Sequence, residues 1–161
     1  MKLNTMDKTI SSVKLSTSNW IGSKILNHSL VLFGRVFFSL YFIIASFGHF
    51  EQSAIDIAIK KNIPFPDNFV LITGLMALIG GFGLILGIFT KMGSLLLMVF
   101  LILVTLYMHN FWAISDVVEI QNQQVLFLKN LALLGGTIHY YYFGPGKYSF
   151  DHYFDHASKT N

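Results

Sequence analysis

The sequence contains no cysteine. That absence excludes thiol–disulfide exchange, disulfide staples and every thiolate metal or iron–sulfur site. Charge is scarce too. Asp, Glu, Lys and Arg make up 12% of 161 residues while 53% are hydrophobic, a balance typical of a small polytopic membrane protein and too apolar for an ordinary soluble domain. There is no glycine-rich nucleotide loop after a strand and no facing histidine pair at mid-depth to hold haem. The net charge of +3 sits on lysines in tails and short loops, which reads as a topology signal, not as a nucleic-acid surface. Residues 1–28 are polar, with no apolar h-region and no small-residue cleavage site, so they do not form a signal peptide. They read as a disordered or interfacial cytoplasmic tail.

What remains is hydrophobic runs. Four are long enough to cross a bilayer, about Ser29–Phe50, Phe69–Thr90, Gly93–Phe111 and a last one beginning near Gln123. The expected architecture is therefore all-α, an integral membrane four-helix bundle over residues 29–151, with a cytoplasmic tail at 152–161. Between the first two runs, Ala54–Ile59 suits a short amphipathic helix, and Pro64 and Pro66 stop it. Asp67 or Asn68 is placed to cap the second span. That span crowds in Gly74, Gly80, Gly81, Gly83 and Gly87, and Gly83 with Gly87 fits the small-xxx-small pattern of close helix packing. Lys91 marks a very short turn. Trp20, Trp112 and Tyr140–Tyr142 read as interfacial belts. Seven lysines (Lys2, Lys8, Lys14, Lys24, Lys91, Lys147, Lys159) fall on the side of the termini and two (Lys60, Lys61) on the other. The positive-inside rule then puts both termini in the cytoplasm.

In that topology the polar residues converge. His49 and Glu51 end the first span, His109 and Asn110 end the third, and Lys129 lies about 8 Å below the start of the fourth at 1.5 Å per residue, followed by Asn130. These six residues are the candidate ligand-binding pocket in the outer half of the membrane, suited to a small polar or quinone-like headgroup. Glu51 is the expected partner of Lys129, since opposite charge offsets desolvation. The competing reading is that Lys129 snorkels to the interface and the histidines are wet helix ends. No metal is expected, because no i, i+3 or i, i+4 ligand pair is present among these residues. Arg35, about six residues into the first span, is an intramembrane charge that either anchors structure, by bonding to carbonyls or to Asp151, or marks a site.

The motifs Gly34-Arg35, Gly48-His49-Phe50, Gly80-Gly81-x-x-Leu-x-Leu-Gly87-x-x-Thr90-Lys91, His109-Asn110-Phe111-Trp112, Lys129-Asn130-Leu131-Ala132-x-x-Gly135-Gly136 and Gly144-Pro145-Gly146-Lys147-Tyr148-Ser149-x-Asp151 occur in that order. Together they resemble the DoxX family of small membrane proteins over residues 29–151. The resemblance implies a four-helix bundle in the bacterial cytoplasmic (inner) membrane. It also implies kinship with a subunit of thiosulfate:quinone oxidoreductase and with membrane partners of redox or detoxification proteins. Many members carry Lys where this chain has His49 and Glu where it has Ala77, so a catalytic role does not transfer and no catalytic residue is assigned. The expectation is an accessory or quinone-interacting subunit of a membrane redox system. It binds no cofactor covalently, leaves quinone as the open cofactor class, and works with a redox protein, lipid or copies of itself. A small transporter or lipid-handling protein, and a scaffold or assembly factor, are the alternatives that the same features allow.

Overall fold

The computed structural model describes the backbone of residues 3–158 and the side chains of residues 26–158. Lys2 and Lys159, and the side chains of Lys8, Lys14, Trp20 and Lys24, lie outside the described residues. The described chain is helical, with no strand: α1 (Leu3–Gly48), α2 (Gln52–Lys60), α3 (Pro66–Leu86), α4 (Thr90–Met108), α5 (Val117–Phe143) and α6 (Phe150–Ala157), with a 3-10 turn at Phe111–Ala113. Among the described residues three segments are long and apolar enough to cross a membrane, Leu26–Gly48, Pro66–Leu86 and Thr90–Ala113, and the fourth run expected from near Gln123 is not one of them. The 27-residue α5 packs along α4 and completes the bundle. Its amides, Glu119 and Lys129 make it the most polar of the four.

The distribution of side chains suits lipid rather than water outside. Phe33, Phe37, Ile44 and Phe47 on α1, and Ile72, Ile79 and Phe82 on α3, point outward and are exposed. Arg35, Ser39, Ser46, Thr73, Ser94, Thr105, Asn130 and Thr137 are buried. Small and polar groups facing inward, with bulky apolar groups facing outward, are what helix association in a bilayer requires. The core proper is Phe42, Ala77, Leu84, Leu97, Phe100, Leu101 and Val104. In sequence order α1 packs on α3, α3 on α4, and α4 on α5. The ring closes from α5 to α1 through aromatics, with Phe38 and Tyr140 at 5.2 Å between centroids.

Several sequence expectations shift. The polar N-terminal stretch is helical from Leu3 and continuous with the first span, not a disordered tail. The proposed C-terminal tail begins inside α6. Helix α5 starts at Val117, six residues before the expected start near Gln123, because Asp116 accepts a hydrogen bond from Glu119 N–H and caps it. Neither Asp67 nor Asn68 caps α3. Phe65 is the N-cap and Pro66 occupies the first turn, where its fixed φ and missing N–H cost nothing. The α3–α4 turn is Gly87–Phe89, and Lys91 is already helical. Gly87 adopts φ 65°, a left-handed cap that only glycine reaches cheaply, and so serves the turn instead of a helix-packing pair with Gly83.

Candidate functional site

Polar side chains collect at both ends of the bundle. At the end where α1 and α4 finish, three residues form a relay. The Glu119 carboxylate accepts from Gln123 Nε2–H at 2.8 Å, and Gln123 Oε1 lies 2.8 Å from His109 Nδ1. A carboxylate only accepts, which fixes the amide's orientation. Gln123 Oε1 must then accept from His109, so Nδ1 carries a proton. Beside it Lys61 donates to Asn110 Oδ1 at 2.9 Å. Burial holds the Lys61 ammonium below its ordinary pKa, and the nearby Glu119 charge opposes that shift.

Lys129 lies six residues further along α5 than Gln123, about 9 Å deeper at the helical rise. Its ammonium sits over the Tyr41 ring of α1, 5.2 Å from the centroid, an attraction worth about 0.5–2 kcal/mol depending on desolvation. No salt bridge or hydrogen bond accompanies it among the described residues. Asn130, next to it, is only 4% exposed, and its amide makes no hydrogen bond among the described residues.

The six expected pocket residues are thus only partly brought together. His109 and Asn110 belong to neighbouring hydrogen-bonded pairs. Asn130 and Lys129 sit below them. His49 packs edge-on against Phe100 with 5.6 Å between centroids. Glu51 is exposed and accepts from Ser53 Oγ at 3.2 Å, so it does not pair with Lys129. Sequence reasoning placed Glu51 by its distance from the end of the first span. The chain turns at Phe50 and Glu51 into α2, and the carboxylate leaves with it. Glu119, Gln123 and Tyr41 were missed. The signal for the first two is their i, i+4 spacing, which goes unread when the last helix is expected to begin only near Gln123.

At the opposite end Arg35 is 2% exposed. Its guanidinium donates to the carbonyls of Pro145 (2.5 Å) and Tyr148 (2.6 Å), beyond the end of α5. Asp151 accepts from Phe89 N–H at 2.8 Å and Thr90 N–H at 2.9 Å, and its own N–H reaches Gly87 O at 2.8 Å. Phe89 offers no side-chain oxygen as N-cap of α4, so Asp151 supplies that cap from 61 residues away and complements the helix dipole. Arg35 is therefore an anchor that ties the 144–151 segment to α1. Among the described residues no group of three or more His, Asp or Glu is arranged to hold a metal.

The DoxX family model matches residues 30–110. The chain belongs to the DoxX family. No curated protein and no solved structure matches it. The matched segment of this DoxX chain holds Arg35, His49, Glu51, His109 and Asn110, whereas Gln123, Lys129 and Asn130 lie on α5 beyond it.

Proposed function

We propose that this DoxX-family membrane protein is a quinone-interacting accessory subunit of a membrane redox system, with both termini in the cytoplasm of a bacterium. One observation supports the reading most: Lys129 and Asn130, consecutive on α5, have no hydrogen-bond acceptor among the described residues, Asn130 is buried, and the Lys129 ammonium lies over an aromatic ring, Tyr41. Acceptor oxygens on a flat, lipid-soluble ring match that set. Lys129 would hold one quinone carbonyl by a charge-assisted bond, Asn130 would orient the ring, and Tyr41 would pack on its face. When bound, a quinone supplies two-electron, two-proton redox capacity. The electrons belong to a partner, since this chain carries no thiol for redox chemistry of its own.

The test uses the purified protein in nanodiscs titrated with a short-chain quinone. Lys129→Met is expected to weaken binding about tenfold or more, since a hydrogen bond to a charged group contributes roughly 1.5–3 kcal/mol. Lys60→Met, on the exposed side of α2, leaves it unchanged. Equal affinity for wild type and Lys129→Met, or no binding by the wild type, rules the reading out.

Orientation is tested separately. Reporter fusions at Lys61 and Gln121 are expected to signal the outside, and fusions at Lys91 and Asn161 the inside, from the lysine asymmetry. An inside signal at Gln121 inverts the topology and puts the Lys129 pocket in the cytoplasmic half.

A further inference from the structure

Between the α3–α4 turn and the segment joining α5 to α6 lies a cavity of about 800 Å³. One wall is apolar, made by Phe89, Met92, Tyr142 and Phe143. All four side chains are well exposed, Phe89 76% and Tyr142 77%, so the wall runs on into the lipid-facing surface of α4 and α5. The lining also carries charge, from Lys91, Lys147, Asp151 and Asp155, with His152 among them. Asp151 is not available to a ligand, because both of its oxygens accept backbone N–H groups of the α4 N-terminus. The remaining three charged groups are available. Neither ammonium nor the Asp155 carboxylate makes a hydrogen bond or ion pair among the described residues, although all three line one cavity. Opposite charges held around a common space without meeting one another leave room for a ligand that carries both signs.

The cavity opens at the ends of membrane-spanning helices, where headgroups lie. Helix α6 beside it has Phe150, Tyr153 and Phe154 exposed along one face and Asp151, Asp155 and His156 away from it, the pattern of a helix that rests in the interface. A molecule that fits has apolar chains for the aromatic wall, a phosphate for the two lysines and a hydrogen-bonding cation for Asp155. We infer that this cavity seats a phospholipid with a primary-amine headgroup, its phosphate between Lys91 and Lys147 and its ammonium on Asp155. A quaternary ammonium cannot donate a hydrogen bond to Asp155, and a glycerol headgroup carries no cation. The inference is independent of the quinone reading, which concerns the other end of the bundle.

Native mass spectrometry of the full chain in mild detergent tests it, with phosphatidylethanolamine, phosphatidylcholine and phosphatidylglycerol of identical acyl chains. The expected result is retention of the ethanolamine lipid over both others by about tenfold, the ratio that 1.4 kcal/mol yields. In Asp155→Asn the preference over phosphatidylcholine disappears. In Lys91→Gln/Lys147→Gln retention of all three falls to that of unspecific annular lipid. Lys60→Gln, at the other end, behaves as wild type. Because Lys91, Lys147 and Asp155 are exposed, these variants should melt with the wild type, which separates lost binding from lost folding. Equal retention of the three lipids by wild type overturns the proposal, as does a preference that survives the double lysine variant. Soluble O-phosphoethanolamine forms a further arm: if it is held as tightly as the lipid, the site reads a water-soluble phosphoamine and the lipid assignment fails.

Discussion

Arg35→Met is expected to lower the melting temperature in detergent by roughly 5–15 °C and to expose the 144–151 segment to protease. The side chain is 2% exposed and holds two carbonyls 110 and 113 residues away in sequence. Methionine fills a similar volume and donates nothing, so the carbonyls of Pro145 and Tyr148 lose their partner. Each buried acceptor left unpaired costs about 1–3 kcal/mol. In a chain of this size 1 kcal/mol moves the midpoint by about 2–4 °C. The effect spreads because the clamp also places Asp151, whose carboxylate caps α4. Arg35→Lys should recover less than half of the loss, since an ammonium is a single point donor and cannot span two diverging carbonyls as a planar fork does. Asp151→Ala, which removes the cap but leaves the clamp, should cost less, about 1–2 kcal/mol. Wild-type melting and wild-type protease resistance in Arg35→Met would show that the segment is held by its other contacts and that Arg35 merely occupies space.

Much of the fold was legible because a bilayer imposes a simple rule: runs of about twenty apolar residues become helices that satisfy their own backbone. The first three spans and the amphipathic α2 follow from that rule, whereas the expected stop at Pro64 and Pro66 does not: α2 already ends at Lys60, and Pro66 starts α3. The start of α4 was less legible, because its cap is supplied from 61 residues away. Nothing local in Phe89-Thr90-Lys91 announces that Asp151 will start α4. The site suffered from the same weakness. Residues were assigned a depth by their distance from a span end, and a few residues' error moved Glu51 out of the group and hid Glu119 and Gln123. Arg35 was flagged from sequence because a lone charge in an apolar run is costly by itself, with carbonyls or Asp151 as its candidate partners. The choice between them rests on the path of the 144–151 turn, where Gly144 and Gly146 take positive φ. That path is tertiary information.

The glycine pair in α3 gives the other large expected effect, and substituting it with alanine decides its sign. Consecutive helix residues point about 100° apart, so Gly80 and Gly81 face different neighbours. A Cβ at Gly80 would lie 2.7 Å from Leu97 Cγ and 3.0 Å from the Gly93 carbonyl oxygen on α4. A Cβ at Gly81 would lie 2.8 Å from Ile43 Cγ1 and 3.3 Å from the Ser39 carbonyl oxygen on α1. Helix α3 is thus pressed between two helices through two adjacent hydrogens, and the backbone oxygens cannot swing away as side chains do. By propensity alone, Gly→Ala inside a helix should stabilise by about 1 kcal/mol. Here overpacking of about 1–3 kcal/mol opposes it and wins. Gly80→Ala and Gly81→Ala should therefore melt below wild type, and the Leu variants of both should fail to accumulate in the membrane or melt at least roughly 10 °C lower. Gly135 on α5 is the internal reference. It is exposed and a Cβ there meets nothing within 4 Å, so Gly135→Ala should melt at or above wild type. Gly83 is intermediate, its nearest atoms being Ile88 O at 3.3 Å and Gly93 Cα at 3.7 Å, and it should tolerate alanine better than its two neighbours. If Gly80→Ala and Gly81→Ala instead gain stability alongside Gly135→Ala, propensity has outweighed packing, and the three-helix contact at this point is looser than these distances imply.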